Sequence, residues 1–221
     1  MADDLIPLFP LGTVLLPGAP LPLHIFEARY RRLVADLLEQ PEEERHFGVV
    51  AIKSGREVGA DGVRALHEVG CLAHVTATHP STDGTYDLET IGTKRFRLLE
   101  IDEGAAYFRG AVEFLPEPPG DAEDLVPVVQ ERYTRYREAL AALRGATLEP
   151  PALPEDPRLL SYVVAATVLA DVSDRQSFLE QYDAASRLAV ESHWLHREAT
   201  LLRLIHAVPA DRMLDIRFST S

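Results

Sequence analysis

The sequence predicts an α+β protein: a small β-barrel or pseudo-barrel carrying one early helix, followed by a C-terminal α-helical bundle. Three observations carry that reading. Apolar residues alternate with period two on either side of Asp83-Gly84, they recur every three or four residues from Val129 onward, and Pro-rich breakers at 116–119 and 150–157 separate the blocks. The expected division therefore places the barrel in residues 1–118 and the bundle in 119–221, the two together forming one unit.

Each element has a local cause. Residues 5–26 contain Pro7, Pro10, Pro17, Pro20 and Pro22, a density that forbids helix and predicts short strands near 5–9 and 12–16 followed by a Pro17-Gly18 turn. From Phe26 the pattern changes. Phe26, Tyr30, Leu33 and Leu37 form a helical stripe from which Arg29, Arg31 and Arg32 are excluded, and the helix must stop before Pro41. Phe47 to Lys53 reads as a strand, and a polar loop with Gly55, Gly59 and Gly62 follows.

The hairpin is the clearest local signal. Cys71, Ala73, Val75 and Ala77 alternate with His74, Thr76 and Thr78, and beyond Asp83-Gly84 Tyr86, Leu88 and Thr90 share one side. Gly92 predicts a bulge before Phe96, Leu98 and Ile101, and a last strand spans Ala106 to Leu115.

In the second half, Val129, Tyr133, Tyr136, Leu140 and Leu143 define a helix that ends at Gly145. Asp156-Pro157 supplies a cap and a first-turn proline for a helix through Val163 to Ala170. Ser173 and Gln176 have the spacing of a capping box for a short helix reaching Tyr182. Asp183 is placed to cap a final helix from Ala184 to about His206, ~35 Å long at 1.5 Å per residue.

Composition narrows the chemistry. The 221 residues carry a formal net charge of −13, with 11 cations against 19 acids over 1–120 and 11 against 16 over 121–221. Neither half has the clustered cations of a generic nucleic-acid binder, although Arg29-Arg31-Arg32 and Arg95-Arg97 form local basic groups. Lys53 and Lys94 are the only lysines, both in predicted strands. Cys71 is the only cysteine, so no internal disulfide or multi-Cys metal site is possible, and an intracellular, cytoplasmic protein is expected. The acidic start is unlike a signal peptide, and the longest uncharged apolar run, Leu159 to Ala170, has 12 residues where a membrane span needs about 20.

Several spaced strings resemble one family. Leu5-Ile6-Pro7-Leu8-Phe9-Pro10-Leu11, Leu15-Leu16-Pro17-Gly18, Pro22-Leu23-His24-Ile25-Phe26-Glu27 and Arg29-Tyr30 are similar to the opening of the N-terminal, substrate-binding domain of Lon proteases, above all its stand-alone form. Val69-Gly70-Cys71-Leu72-Ala73 and Gly92-Thr93-Lys94-Arg95-Phe96-Arg97-Leu98 resemble its later segments, as do Gln176, Leu179, Glu180, Asp183, Arg187, Leu188 and Glu198. The resemblance covers about residues 5–207 and implies a PUA-like barrel followed by helices, with a role in binding protein substrates. The ATPase and protease modules of Lon are not matched. No G-x-x-x-x-G-K-[ST] loop is present, and neither lysine corresponds to that of a Ser–Lys dyad, so ATP-dependent proteolysis is not expected of this polypeptide.

Among candidate sites, His193 and His196 share a helix face, but Glu198 falls near the opposite side, so no metal site is expected. Arg187, Glu191 and Glu198 lie within the apolar arc of the last helix. Arg187 and Glu191 are spaced i, i+4 to pair, and Glu198 is expected to take a donor from a neighbouring helix or the barrel. Tyr133, Tyr136 and Trp194 are the peptide-contact candidates, with a buried core stripe as the competing reading. His24 and Glu27 could suggest an acid–base pair, but Glu27 at a helix start has an electrostatic reason to be there. Ser54, Ser81 and Asp61 sit in predicted loops without a nucleophile elbow.

The function expected is thus non-catalytic recognition of unfolded or specific polypeptide clients, without cofactor or metal. The role would be that of an adaptor, decoy or chaperone-like holder in protein quality control, with a Lon or other AAA+ protease as partner. A PUA-like RNA-binding protein and a small-molecule sensor are the alternatives; the acidic charge opposes the first.

Overall fold

The computed structural model describes residues 5–55, 63–104, 106–145 and 152–207. The chain divides into two compact units, Met1–Glu117 with Ala165–Tyr182 and Pro118–Val164 with Asp183–Ser221. Residues 165–182 group with the β-rich unit, where the Gln176 side chain and the main chain at 179–182 are bonded to strand residues.

The first unit contains β1 (Ile6–Leu11), β2 (Leu23–Ile25), α1 (Ala28–Leu38), β3 (His46–Gly55), β4 (Val63–Leu66), β5 (Val69–Pro80), β6 (Tyr86–Asp102) and β7 (Arg109–Phe114). A short 3-10 turn, Glu42–Glu44, leads into β3. β1 runs parallel to β3 and antiparallel to β7, while β3–β5, β5–β6 and β6–β7 are antiparallel, so the pairings close a circuit. β4 pairs β3, and β2 pairs the N-terminal half of β6.

Alternation along these strands feeds two cores, because successive side chains leave opposite faces. Phe9, Leu11, Phe47, Val49, Cys71, Ala73 and Val75 meet Tyr30, Leu33, Val34 and Leu37 of α1. Leu8, Val50, Leu72 and Phe96 form the other cluster. Every residue from Val69 to Ala73 is therefore buried, which a strand with only one covered face would not show. Full burial of each large apolar side chain contributes roughly 1.5–3 kcal/mol.

The hairpin around Asp83-Gly84 is present, with Asp83 accepting hydrogen bonds from the Thr85 N–H and hydroxyl. At Gly92 the register slips as anticipated, from Cys71 opposite Arg95 to Ala73 opposite Gly92. The cause is a close crossing: a Cβ at Gly92 would stand 2.2 Å from the Leu16 carbonyl oxygen. Gly18 N–H donates to the Gly92 carbonyl, and Gly92 N–H donates to that of Ala19. Residues 12–16 are consequently a loop rather than the expected strand. Their apolar side chains Val14, Leu15 and Leu16 are buried, but their main chain leads into the turn docked on Gly92. The strand that does pair with β6 comes later, at 23–25.

Other boundaries shift modestly. β4 was not anticipated, and β7 begins at Arg109 rather than Ala106. Gly59 and Gly62 of the expected loop lie outside the described residues. In the β-rich unit α4 (Val172–Leu179) is capped by Asp171, which accepts from Asp174 N–H, so the capping box expected of Ser173 and Gln176 is not formed. The Gln176 side chain is engaged elsewhere, as described below.

The second unit is helical. α2 (Leu125–Leu143) stops just before Gly145, whose φ is +62°. α3 (Pro157–Thr167), which contains a border between the units, starts on Asp156, whose carboxylate accepts from the N–H groups of Arg158 and Leu159. α5 (Ala184–Ala207) starts on Asp183, which accepts from Ser186 N–H. Val129, Tyr133, Tyr136 and Ala139 of α2 are buried, as are Leu188, Trp194, Leu195 and Ala199 of α5.

Candidate functional site

The most distinctive sequence strings prove to be scaffold. Gln176 Nε2 donates to the Val69 carbonyl at 3.0 Å and to Glu180 at 2.8 Å, tying α4 to β5. Arg95, buried on β6, donates through Nη1 to the carbonyls of Leu179 and Gln181, through Nη2 to that of Pro116, and through Nε to the Glu117 carboxylate. A planar guanidinium with five N–H groups suits this divergent set, where an ammonium would not. Gly70 leaves space for the Phe96 ring, which would lie 2.6 Å from a Cβ there. These residues explain why the strings are spaced as they are, and they are structural.

The residues singled out in the second unit are also structural. Tyr133 and Tyr136 are 2% exposed and Trp194 is 5% exposed, so the peptide-contact expectation is replaced by a core stripe in which Tyr136 and Trp194 meet edge to face at 5.5 Å. Arg187 and Glu191 are fully buried. Arg187 donates to the Ser161 hydroxyl at 2.9 Å, and its guanidinium lies 4.1 Å from the centre of the Tyr162 ring. Among the described residues neither Glu191 oxygen has a hydrogen-bond partner, so the expected i, i+4 pairing is a charge interaction without a hydrogen bond. Burial pushes the Glu191 carboxyl well above the usual carboxylate range, against the opposing pull of Arg187.

Glu198 pairs with Arg197 on its own helix at 3.0 Å rather than, among the described residues, with another element. His193 and His196 are exposed, and among the described residues no three His, Cys, Asp or Glu side chains are grouped to hold a metal. Ser54 lies in β3 rather than a loop, Ser81 lies in the hairpin turn, and Asp61 is outside the described residues. The Cys71 thiol is buried and pushed up to about 12 by desolvation, so it is a packing group rather than a nucleophile.

An open apolar concavity remains in the first unit. Phe9, Pro10 and Leu11 of β1, Leu23, His24 and Ile25 of β2, and Phe26, Glu27 and Tyr30 at the start of α1 line a cleft of about 200 Å³. Its floor is aromatic: Tyr30 stacks on Phe9 with ring centres 3.9 Å apart, and the Arg29 guanidinium lies 4.5 Å from the Tyr30 ring centre. Phe26 was expected at the head of the buried helical stripe, but it precedes the helix cap and is 54% exposed. Helical periodicity could not reveal this, because Phe26 lies outside the helix.

Polar groups flank the cleft. His24 and Glu27 do not pair with each other. His24 Nδ1 meets Asp87 at 2.7 Å, and Glu27 meets Arg29 at 3.2 Å. Near His24, the Asp83 carboxyl is held below its usual range by hydrogen bonds from Thr85.

By class, then, this is an α+β domain whose signature polar residues build its scaffold and whose apolar cleft is left open. The family model of the ATP-dependent protease La (LON) substrate-binding domain matches residues 5–197, and the chain belongs to that family. It is 30% identical over 220 residues to Lon protease 2 of Sorangium cellulosum, covering 91% of this chain and 26% of that protein. It is 26% identical over 212 residues to a Lon protease of Phenylobacterium zucineum, covering 92% and 26%. The chain thus spans about a quarter of the length of these relatives. Two solved structures share the fold. A Lon N-terminal domain protein from Xanthomonas campestris matches with TM-score 0.60 at 23% identity, covering 86% of this chain and 98% of that one. The N-terminal domain of a Mycobacterium avium complex Lon protease matches with TM-score 0.61 at 16% identity, covering 87% and 98%. Among the described residues, no helix is long and apolar enough to cross a membrane.

Proposed function

We propose that this chain is a non-catalytic polypeptide-recognition module that seats a large apolar side chain of its client in the cleft between β1, β2 and the start of α1. Membership of a substrate-binding family supports a polypeptide occupant. The observation that carries the choice of site is Phe26, a large aromatic side chain 54% exposed on the rim of an apolar cleft. The closed strand circuit is of the PUA-like barrel type in this reading. The module acts as an adaptor or chaperone-like holder in protein quality control, with a Lon or other AAA+ protease as the machine that receives its clients.

Fluorescence anisotropy with a labelled, permanently unfolded protein tests the site. Phe26→Asp is expected to weaken binding at least about tenfold with only a small fall in melting temperature, because about half of this side chain is exposed. Unchanged affinity in a folded Phe26→Asp protein would remove the cleft from consideration.

A further inference from the structure

The main-chain groups beside the cleft carry the reading further. In the antiparallel pairing of β2 with β6, Leu21 N–H donates to the Thr90 carbonyl, and Leu23, His24 and Ile25 stand opposite Leu88, Asp87 and Tyr86. Hydrogen-bonded pairs alternate with non-bonded ones in such a ladder. Leu23 and Ile25 therefore direct their main-chain groups at β6, whereas the N–H and carbonyl of His24 point to the other edge. Among the described residues β2 has no strand on that edge. The same alternation on β1, set by the Leu8 N–H donating to Phe108, turns the Pro10 carbonyl away from β3. Both Pro10 and His24 line the cleft.

The edge is short for a reason visible in the sequence. Pro22, two residues before His24, has no N–H to offer, and neither has Pro10, so neither can extend a ladder. One donor and its companion carbonyl are left to serve an incoming chain. Charge completes the description. Asp87 is 60% exposed and pairs with His24, Asp83 stays ionised close by, and the whole chain carries −13.

We infer that the cleft takes its client as an added strand: an extended segment hydrogen-bonded to the main chain of His24, with an apolar side chain in the cleft and a neighbouring Lys or Arg directed at Asp87. This rests on the reading of the cleft as a polypeptide site. It specifies backbone pairing and a basic flank, neither of which simple apolar capture requires.

The test uses the full chain and fluorescein-labelled peptides with an aromatic residue flanked by Val and Lys, either unmodified or N-methylated at alternate residues in each of the two frames. Methylation in at least one frame is expected to weaken binding about tenfold, and His24 N–H is expected to gain protection from hydrogen exchange on peptide addition. Asp87→Asn should weaken the Lys-flanked peptide several-fold and leave a Gln-flanked one unchanged. If all methylated peptides bind as well as the parent while Phe26→Asp still abolishes binding, strand addition is wrong and the cleft reading stands. If no peptide binds and Phe26→Asp leaves capture of unfolded protein intact, the cleft reading falls and strand addition with it.

Discussion

Arg95 Nη1 donates to the main-chain carbonyl of Leu179 at 2.7 Å, joining β6 to the last residue of α4 across 84 positions of sequence. Carbonyls at the end of a helix lack intrahelical donors, and this cation supplies one where the dipole also favours positive charge. Replacing it with Met should cost about 3–5 kcal/mol in urea unfolding, since several carbonyl acceptors and the Glu117 carboxylate lose this donor together. Arg95→Lys should recover little of that loss. If both variants unfold like the parent, the clip is not what holds α4.

Gly92 is expected to tolerate no side chain. A Cβ 2.2 Å from the Leu16 oxygen must push apart two main-chain segments that are hydrogen-bonded to each other, so Gly92→Ala should lose at least about 2 kcal/mol. Thermal unfolding of the purified variant is the measurement; a melting temperature within a degree of the parent would contradict the crossing.

Glu191 gives stability a pH dependence of definite sign. Its folded-state carboxyl is raised, so between the ordinary carboxylate range and that raised value the folded protein holds a proton the unfolded chain has released. The contribution is intact at pH below the unfolded value and is lost as pH rises, with a limiting slope of about 1.4 kcal/mol per pH unit. Glu191→Gln removes that slope. The variant should match the parent near pH 5 and exceed it near pH 8 in denaturant titrations, and the reverse order would show that the ionised Glu191–Arg187 pair is the stable form.

Trp194 is a core residue against Tyr136, so Trp194→Ala should cost about 3–5 kcal/mol. Affinity of the remaining folded protein for an unfolded client should not change. A folded, stable Trp194→Ala protein that has lost its client would return α5 to the binding surface.

Much of the fold was legible locally. The hairpin, α1, the Asp156 and Asp183 caps and the end of α2 near Gly145 all depend on residues within a few positions of one another, and the glycine at 92 marks its irregularity although the segment that crosses there is distant. Errors arose where the deciding partner was distant. Ser173 and Gln176 have the spacing of a capping box, yet Gln176 bonds to Val69, and Asp171 does the capping. Residues 12–16 have strand composition, but the crossing at Gly92 makes them a loop, and 23–25 take the place beside β6. Phe26 fits a helical stripe by spacing, while the main chain at Glu27 is extended, so that stripe does not reach it.

What the amino-acid sequence determined by itself was the kind of each half, β-rich then helical, and through its spaced strings the family; periodicity, caps and turn residues are short-range physics and survive without coordinates. Only the tertiary structure decided which polar residues are scaffold, that residues 165–182 belong with the strands, that Tyr133, Tyr136 and Trp194 are buried, and that Phe26 is not. Burial depends on what distant segments bring to a residue, and an aromatic side chain reads the same in sequence whether a neighbouring element covers it or leaves it open.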